Sequence, residues 1–328
     1  MMRKKWALVC LIASAAVGTS GRAADYVGAC DGSAVAMIDP LTFVTVSDEE
    51  PVLKIYPLNG GTDLQTRRTL LSSSLGFDPK DEGDIEAAAK IGNTVYWIAS
   101  LGSGKKGGAE PSRRRFFATR VGDKGQLTVL GTPASRASQA LFETLVHDPA
   151  LAPYHLEEAA LLPPKSPGAL NIEGLAPNGK DGVLIGFRNP TSGPDANAIL
   201  VDLINPEQVV LGTHAPTLAR VIMLDLGRRG IRDIAYRPAH KDYLVLAGAI
   251  DEVQNFAIYR WSGDISQKPI KLDADFQGTG PEALVELDDG RLLVLSDDGE
   301  LKNADGVPCK KLPEGQKHFR GIIISKPD

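Results

Sequence analysis

The sequence predicts an all-β fold, a β-propeller, in which a unit of four antiparallel strands is repeated around a ring. The first observation is a recurring pattern in which an acidic stretch leads into an apolar strand, a turn and a second apolar strand. The clearest copy spans residues 171–190, and further copies begin at Asp84, Gly230 and Gly280. The second observation is that turn residues, mainly Gly, Asp, Asn and Pro, separate these short β-rich segments.

The third observation is the spacing of the copies. Successive intervals between Glu86, Glu173, Arg232 and Glu282 are 87, 59 and 50 residues. If an irregular stretch of about thirty residues is subtracted from the first interval, the period becomes about 50–60 residues, which suits a four-stranded blade. With a first unit near residue 33, the sequence predicts five blades. Six blades would result if residues 60–83 or 262–279 contained another unit, and a twisted β-sandwich is the competing fold.

The N-terminus has the order of features found in a secretory signal. Three basic residues at positions 3–5 precede an apolar run over residues 6–17 and then small residues up to Ala24. The alternative is a membrane anchor, but twelve apolar residues are too few to cross about 30 Å of hydrocarbon. We therefore predict a signal peptide over residues 1–24 and a single propeller domain over residues 25–328. The mature protein would be periplasmic or extracellular, with no integral membrane segment.

Composition narrows the range of partners. The chain of 328 residues is 43% hydrophobic and 23% charged, as expected for a globular protein. Removal of residues 1–24 takes away four basic residues, so the formal net charge falls from −5 to −9. Such an acidic chain is a poor candidate for binding nucleic acid, because affinity for nucleic acid comes largely from positive charge.

Two cysteines, Cys30 and Cys309, remain near opposite ends of the mature sequence. Because exported proteins meet an oxidising compartment, we predict that these cysteines form a disulfide joining the two ends of the chain. The alternative is two separate buried thiols.

The first unit contains three short β-rich runs between residues 33 and 56 and an acidic corner at residues 47–50. The polar, glycine-rich stretch 60–83 that follows is predicted to be a loop. Its acidic end could hold calcium, but the spacing does not match an EF-hand loop, so a solvated turn is the simpler interpretation.

The second unit is followed by a basic segment. If residues 113–121 form a strand, Arg113 and Arg115 point to one face and Arg114 to the other. These arginines could receive a phosphate or carboxylate. The alternative is that they pair with the acidic side chains of Glu86, Glu173 and Glu282.

Residues 134–165 interrupt the β pattern. The apolar positions within 138–146 recur at helical spacing, and residues 154–162 predict a second short helix. This insertion could act as a lid, although packing against the β scaffold is the simpler interpretation. In the third unit, residues 198–201 and 209–211 are predicted to be further strands, and the fifth unit contains an acidic corner at 296–299 that resembles residues 47–50.

Several of these stretches together resemble a bacterial exported family known only as a domain of unknown function. The stretches are Ser-Asp-Glu-Glu at 47–50, Asp-Ile-Glu-Ala-Ala at 84–88, Asn-Ile-Glu-Gly-Leu-Ala at 171–176, Gly-Phe-Arg-Asn-Pro at 186–190, Gly-Ile-Arg-Asp at 230–233, Ser-Asp-Asp-Gly at 296–299 and the segment 113–119. The resemblance covers nearly the whole mature chain. It implies a propeller-like fold and no established activity, so no catalytic residue is transferred.

More distantly, the Ile-Glu-Gly-Leu-Ala stretch is similar to one in secreted propellers described as esterase-like or phytase-like. This similarity implies a phosphoester or ester substrate and bound calcium, by analogy of fold alone. The sequence departs from the phytase-like pattern because it has no dense series of aspartates in each blade.

Glu86, Glu173, Arg232 and Glu282 occupy the same place in four successive units, so the ring geometry predicts that their side chains converge at one mouth of the central channel. In one interpretation the three glutamates are metal ligands and catalytic groups that hold Ca²⁺ or Mg²⁺, while arginines hold a substrate anion. The binding residues of that site would be Arg113, Arg115, Arg188, Arg232 and Asp233.

Two alternatives stay open. The mouth could bind a small cationic, anionic or polyhydroxy ligand without reaction. It could instead be a ring of salt bridges that only locks the blades together, in a propeller with a structural or protein-interaction role. Other active-site types have little support, because the five histidines lack zinc-ligand spacing and no Gly-x-Ser-x-Gly motif is present.

Overall fold

The structure, a computed structural model, describes residues 23–76, 82–131, 134–179, 181–251 and 254–325. Its strands form five sheets, and the first strand of each sheet contacts the first strands of both neighbouring sheets, so that the ring closes from the fifth sheet back to the first. Each sheet contains four antiparallel strands. The predicted five-bladed β-propeller is therefore confirmed.

Within each blade the chain runs from the innermost strand to the outermost, except that the N-terminal strand completes blade 5. Blade 1 consists of Ala34–Asp39, Thr42–Val46, Val52–Pro57 and Thr69–Leu70. Blade 2 consists of Ile85–Ile91, Thr94–Ala99, Phe116–Val121 and Leu127–Leu130. Blade 3 consists of Asn171–Asn178, Gly182–Asn189, Ala198–Leu203 and Leu218–Leu224. Blade 4 consists of Gly230–Arg237, Asp242–Gly248, Ala257–Trp261 and Ile270–Leu272. Blade 5 consists of Pro281–Glu286, Leu292–Ser296, His318–Ile324 and Ala24–Val27.

Both ends of the chain meet in blade 5. The N-terminal strand Ala24–Val27 pairs antiparallel with His318–Ile324, with Ala24 opposite Gly321 and Val27 opposite His318. The two-residue strand Gly61–Thr62 then adds in parallel to the outer edge. Cys30 and Cys309 form a disulfide, with their Cα atoms 5.8 Å apart, which confirms the predicted bond.

Each interface between neighbouring blades encloses its own apolar cluster, so the core is divided into five parts. Most residues of the second and third strands are buried, so both faces of each sheet are covered. Each covered face therefore contributes to a separate apolar cluster. At the junction of blades 5 and 1, four rings lie with centroids 5.1–5.9 Å apart. These rings belong to Tyr26, Phe43, Tyr56 and Phe319.

The predicted helical insertion is present between blades 2 and 3. It contains the α-helix Ala134–His147, the 3₁₀ turn Ala152–Tyr154 and the short α-helix Leu156–Ala159. Leu141 and Leu145 are fully buried against the blade 2 and blade 3 core. The hydroxyl of Ser138 accepts a hydrogen bond from the backbone N–H of Phe116 at 2.7 Å, which fixes the long helix to a strand of blade 2.

Two local predictions are wrong. The sequence predicts a strand at residues 209–211, but the structure has the helix Pro206–Val210 there, begun by a proline at its first position. The sequence also predicts a loop over residues 60–83. In the described part of this stretch, Thr69–Leu70 is the outer strand of blade 1 and Ser72–Leu75 is a helical turn.

The predicted signal peptide lies outside the described residues except for Ala23 and Ala24, and Ala24 is the first residue of the outer strand of blade 5. In the part of the chain that the structure covers, no helix has the length and apolar character needed to cross a membrane. Other helical segments are the 3₁₀ turns Gln65–Arg67, Pro111–Arg113, Cys309–Lys311 and Glu314–Gln316.

Candidate functional site

The inner strands of four blades carry a β-bulge at the same place. In blades 2, 3, 4 and 5 the pairing with the second strand shifts by one residue near the start of the inner strand. A bulge leaves one residue without a partner and changes the direction of its side chain. The extra residues are Glu86, Glu173, Arg232 and Glu282.

Glu173 is the centre of an ion-pair network at the mouth. Its Oε1 accepts hydrogen bonds from Arg188 Nη1 at 2.8 Å and from Asn171 Nδ2 at 2.7 Å. Its Oε2 lies 3.2 Å from Arg232 Nη1, and Arg232 Nη2 donates to Glu282 Oε1 at 2.8 Å. Three of the four bulge residues, from blades 3, 4 and 5, are therefore joined in one chain of contacts.

Local backbone geometry and carbonyl contacts position Arg188 in this network. A Cβ at Gly230 would lie 1.9 Å from the carbonyl oxygen of Arg188, so only glycine lets blade 4 approach blade 3 this closely. Arg188 also donates from Nε to the carbonyl of Ala249 at 3.2 Å and from Nη2 to that of Asp251 at 3.0 Å. Its guanidinium group is thus held by one carboxylate and two carbonyls.

The sequence did not predict that other carboxyl groups share the mouth. We use the term acidic mouth for the seven carboxyl groups that influence one another there, from Asp31, Asp48, Asp84, Glu86, Glu173, Glu282 and Asp297. Asp48 and Asp297 come from the two acidic corners whose similarity was visible in the sequence. That similarity was the available signal for their shared location.

Burial and mutual repulsion raise the proton affinity of this group. Burial raises the pKa of Glu86 well above its usual range, and the charges of Asp84, Glu173 and Glu282 raise it further. The pKa of Asp48 is also raised well above its usual range, mainly by burial and further by the charges of Asp31 and Glu282.

The pKa values of Asp31 and Glu282 are raised as well. Burial raises the pKa of Asp31 to about 7, although hydrogen bonds from Ser47, Asp48 and Ser33 oppose the shift. Burial and then the charge of Asp297 raise the pKa of Glu282, while Arg232 lowers it.

Glu86 and Asp48 lack the compensation that Glu173 receives. Within the described ranges, no Lys, Arg or His nitrogen lies within 4.0 Å of either carboxylate. By contrast, Asp84 pairs with Arg113 Nη1 at 2.6 Å. The acidic mouth therefore has an excess of negative charge on the side formed by blades 1 and 2.

Arg113 and Arg115 are placed differently from the prediction. The strand begins only at Phe116, and Arg113 ends the 3₁₀ turn Pro111–Arg113, so the expected strand alternation is wrong. Arg113 contacts Glu82 as well as Asp84. Arg115 Nη1 donates to the carbonyl of Pro111 at 2.6 Å, and the guanidinium of Arg114 lies 3.9 Å from the centroid of the Phe142 ring.

Asp233 links two blades. Its Oδ1 accepts from the N–H of Ile234 and its Oδ2 from the N–H of Leu284, both at 2.7 Å. Burial nevertheless raises its pKa well above the usual range. Because both oxygens are occupied by backbone donors, the observed contacts of Asp233 are structural, and its predicted role in ligand binding stays a prediction.

The mouth also contains buried oxygen atoms that accept no hydrogen bond. They are Asn171 Oδ1, Asn189 Oδ1 and Glu173 Oε2, on residues that are 5%, 1% and 3% exposed. Oxygen atoms of carboxylates and amides are ligands for hard cations. In the described part of the chain, however, no three His, Cys, Asp or Glu residues are arranged so that they could hold a metal ion. The arrangement offers negative charge and oxygen acceptors rather than a complete coordination shell.

Comparison with known proteins gives no identity for the chain. No protein-family profile matches it, and no curated protein sequence matches it. Among solved structures, it is similar to one of a nidogen/laminin complex, with 13% identity and a TM-score of 0.44 over 91% of this chain and 86% of that one.

It is also similar to the glutaminyl cyclase of Myxococcus xanthus, with 8% identity and a TM-score of 0.44 over 92% and 94% of the two chains. A structure described as glucose dehydrogenase has 14% identity and a TM-score of 0.40 over 94% and 98% of the two chains. No residue role is transferred at these levels of similarity.

Proposed function

We propose that this protein is an exported binding propeller whose acidic mouth attracts a divalent cation that keeps water molecules in its coordination shell, with Ca²⁺ as the best probe. The observation that carries the proposal is the pair Glu86 and Asp48, which face other carboxyl groups and have no basic side chain within ion-pair distance in the described ranges. Burial is the main cause of their raised pKa values, and a cation placed there would relieve the charge repulsion that raises them further. Ca²⁺ suits this role because it accepts flexible coordination by oxygen atoms.

The contacts of the arginines argue against anion binding at the same place. Arg188 and Arg232 already bind Glu173 and Glu282, and Arg113 binds Asp84 and Glu82. A substrate anion would have to displace these carboxylates. For this reason we do not propose the metal-assisted hydrolase, which stays a prediction from the sequence.

Thermal unfolding at pH 7.5 with and without CaCl₂ tests the proposal, with NaCl at equal ionic strength as the salt control. At ~100 times the dissociation constant, binding stabilises the folded state by about 2.7 kcal/mol, which corresponds to a rise in Tm of about 5 °C. At pH 5 the rise should be smaller, because protons compete for carboxylates whose pKa values are raised.

Glu86→Gln should abolish the calcium effect. Glu286→Gln is the matched control, because Glu286 also has a pKa raised by burial but lies at the opposite end of the inner strand of blade 5. An equal shift with NaCl, or an unchanged calcium shift in Glu86→Gln, would refute the proposal.

A further inference from the structure

A cavity lies outside the acidic mouth. It has a volume of about 800 Å³ and opens between the helical insertion and the loop that follows the second strand of blade 3. Binding sites for small molecules are typically about 300–1,000 Å³. We call it the insertion pocket, and it is lined by parts of the insertion between residues 153 and 168, by most of residues 190–197 and by Met223.

The walls of the insertion pocket are mainly apolar. Leu162 and Met223, on opposite sides, are each 40% exposed, and prolines at 153, 190 and 194 add further apolar surface. The hydroxyl of Tyr154 lies 3.8 Å from Met223 Sδ, so the insertion and blade 3 touch across the pocket. Large apolar side chains gathered at a concave surface indicate a place where an apolar group binds.

The charged groups of the pocket are acidic. Glu158 and Asp195 both line it, whereas no Lys or Arg of the described residues does. In the same ranges neither carboxylate lies within 4.0 Å of a basic nitrogen. The nearby Arg228 donates to the backbone carbonyl of Pro194 at 2.9 Å. A bound molecule would therefore meet apolar walls and two uncompensated negative charges.

Strained backbone occurs on both sides of the pocket. His155, with φ of 45°, and Ala196, with φ of 49°, lie in the left-handed region that residues other than glycine rarely adopt. Such conformations are unfavourable and often accompany ligand sites. His155 lines the pocket, and Ala196 lies between the lining residues Asp195 and Asn197.

We propose that the insertion pocket binds a small organic cation, an amine attached to an aromatic or aliphatic body. The apolar walls would bury the body, and Glu158 and Asp195 would attract the ammonium group. This site is separate from the acidic mouth, and its occupant differs in class from a divalent metal ion.

Calorimetric titration of the whole protein at pH 7.5 with tryptamine, and separately with indole-3-acetate, tests this inference. The two probes share a ring system and differ in the sign of their charge. Tryptamine should bind saturably with one site and at least tenfold more tightly than indole-3-acetate. Equal binding of the two probes, or the absence of saturable binding by tryptamine, would overturn the inference.

Variants locate the bound amine. The double variant Glu158→Gln/Asp195→Asn should reduce the preference for tryptamine to about twofold or less, and Ser192→Phe should block binding of both probes by filling the pocket. Glu157→Gln is the matched control, since Glu157 is a neighbouring exposed acid outside the lining. Glu86→Gln should leave tryptamine binding unchanged, and loss of binding in that variant would place the amine at the acidic mouth and refute the assignment.

Discussion

Glu173 shows how a buried charge is tolerated at the centre of this protein. The residue is 3% exposed, yet its carboxylate is bound by Arg188, Arg232 and Asn171. Removing one member of a buried ion pair leaves an uncompensated charge, which typically costs about 3–5 kcal/mol. Burial by itself would lower the pKa of Arg232, but the charges of Glu173, Glu282 and Glu86 raise it above its ordinary value. The charge of Glu173 therefore helps to stabilise the ionised form of Arg232.

Asp31 gives a prediction about pH. Its pKa is raised from 3.8 in the unfolded chain to about 7 in the folded protein, mainly by burial, so the folded state binds the proton more tightly. The resulting stabilisation is fully present below pH 3.8 and is lost as the pH rises to about 7. In Asp31→Asn this loss cannot occur. We therefore expect the free energy of unfolding of the variant to fall less steeply between pH 4 and pH 7 than that of the wild type.

Urea unfolding at several pH values measures this difference in slope. Asp305→Asn is a suitable control, because Asp305 is exposed and should leave the slope unchanged. Parallel pH profiles for the wild type and Asp31→Asn would show that Asp31 does not take up a proton in this range.

At the scale of the element, the helical insertion is an integral part of the core. Helix Ala134–His147 packs on the strand Phe116–Val121 and contributes Leu141, Phe142 and Leu145 to the apolar cluster of blades 2 and 3. Of the two interpretations of this insertion, these contacts support packing against the β scaffold rather than a mobile lid.

Leu141→Ala tests how strongly this helix is held. Leu141 is fully buried, so the substitution should lower the free energy of unfolding by about 2–5 kcal/mol through lost burial and a residual cavity. Leu161→Ala, in the same insertion but at a side chain 45% exposed, should change it by less than about 1 kcal/mol. Chemical unfolding measures the change in the free energy of unfolding for both variants. A loss below about 1 kcal/mol for Leu141→Ala would indicate that the helix is only loosely attached.

Two elements show why local patterns failed. Residues 209–211 are apolar and rich in valine, but the preceding Pro206 favours a helix start, and the buried side chains of Val209 and Val210 pack in the cluster that holds the helical insertion. The segment 113–115 directly precedes the β-rich run 116–121, so the sequence allows a strand that begins at residue 113. Arg113 instead pairs with Asp84 and Arg114 lies over the ring of Phe142, both from other parts of the fold, while Arg115 donates to the nearby carbonyl of Pro111.

For the whole molecule, stability depends on closing the ring. Blade 5 takes its outer strand from the N-terminus, and the disulfide joins residues 279 positions apart beside this strand. A crosslink that closes a long loop reduces the conformational entropy of the unfolded chain. The aromatic cluster of Tyr26, Phe43, Tyr56 and Phe319 covers the same junction between the ends of the ring.

We expect reduction of the disulfide to lower the free energy of unfolding by about 2–5 kcal/mol. The measurement is urea unfolding of protein refolded with and without a thiol reductant. The double variant Cys30→Ala/Cys309→Ala is the control, because the reductant should not affect its stability. If the reduced wild type is as stable as the oxidised protein, strand pairing and the aromatic cluster hold the ring closed without the covalent bond.

The sequence by itself determined the repeated blade and favoured five blades and a cysteine pair at the closure, because strand alternation, turn residues and repeat length are properties of neighbouring positions. It also indicated that Glu86, Glu173, Arg232 and Glu282 are equivalent. Only the tertiary structure decided that Asp31, Asp48, Asp84 and Asp297 join them and that the arginines are already paired with carboxylates. These features depend on bulges, burial and distances between segments far apart in the chain, because the electrostatic energy of a charge is set by its three-dimensional neighbours.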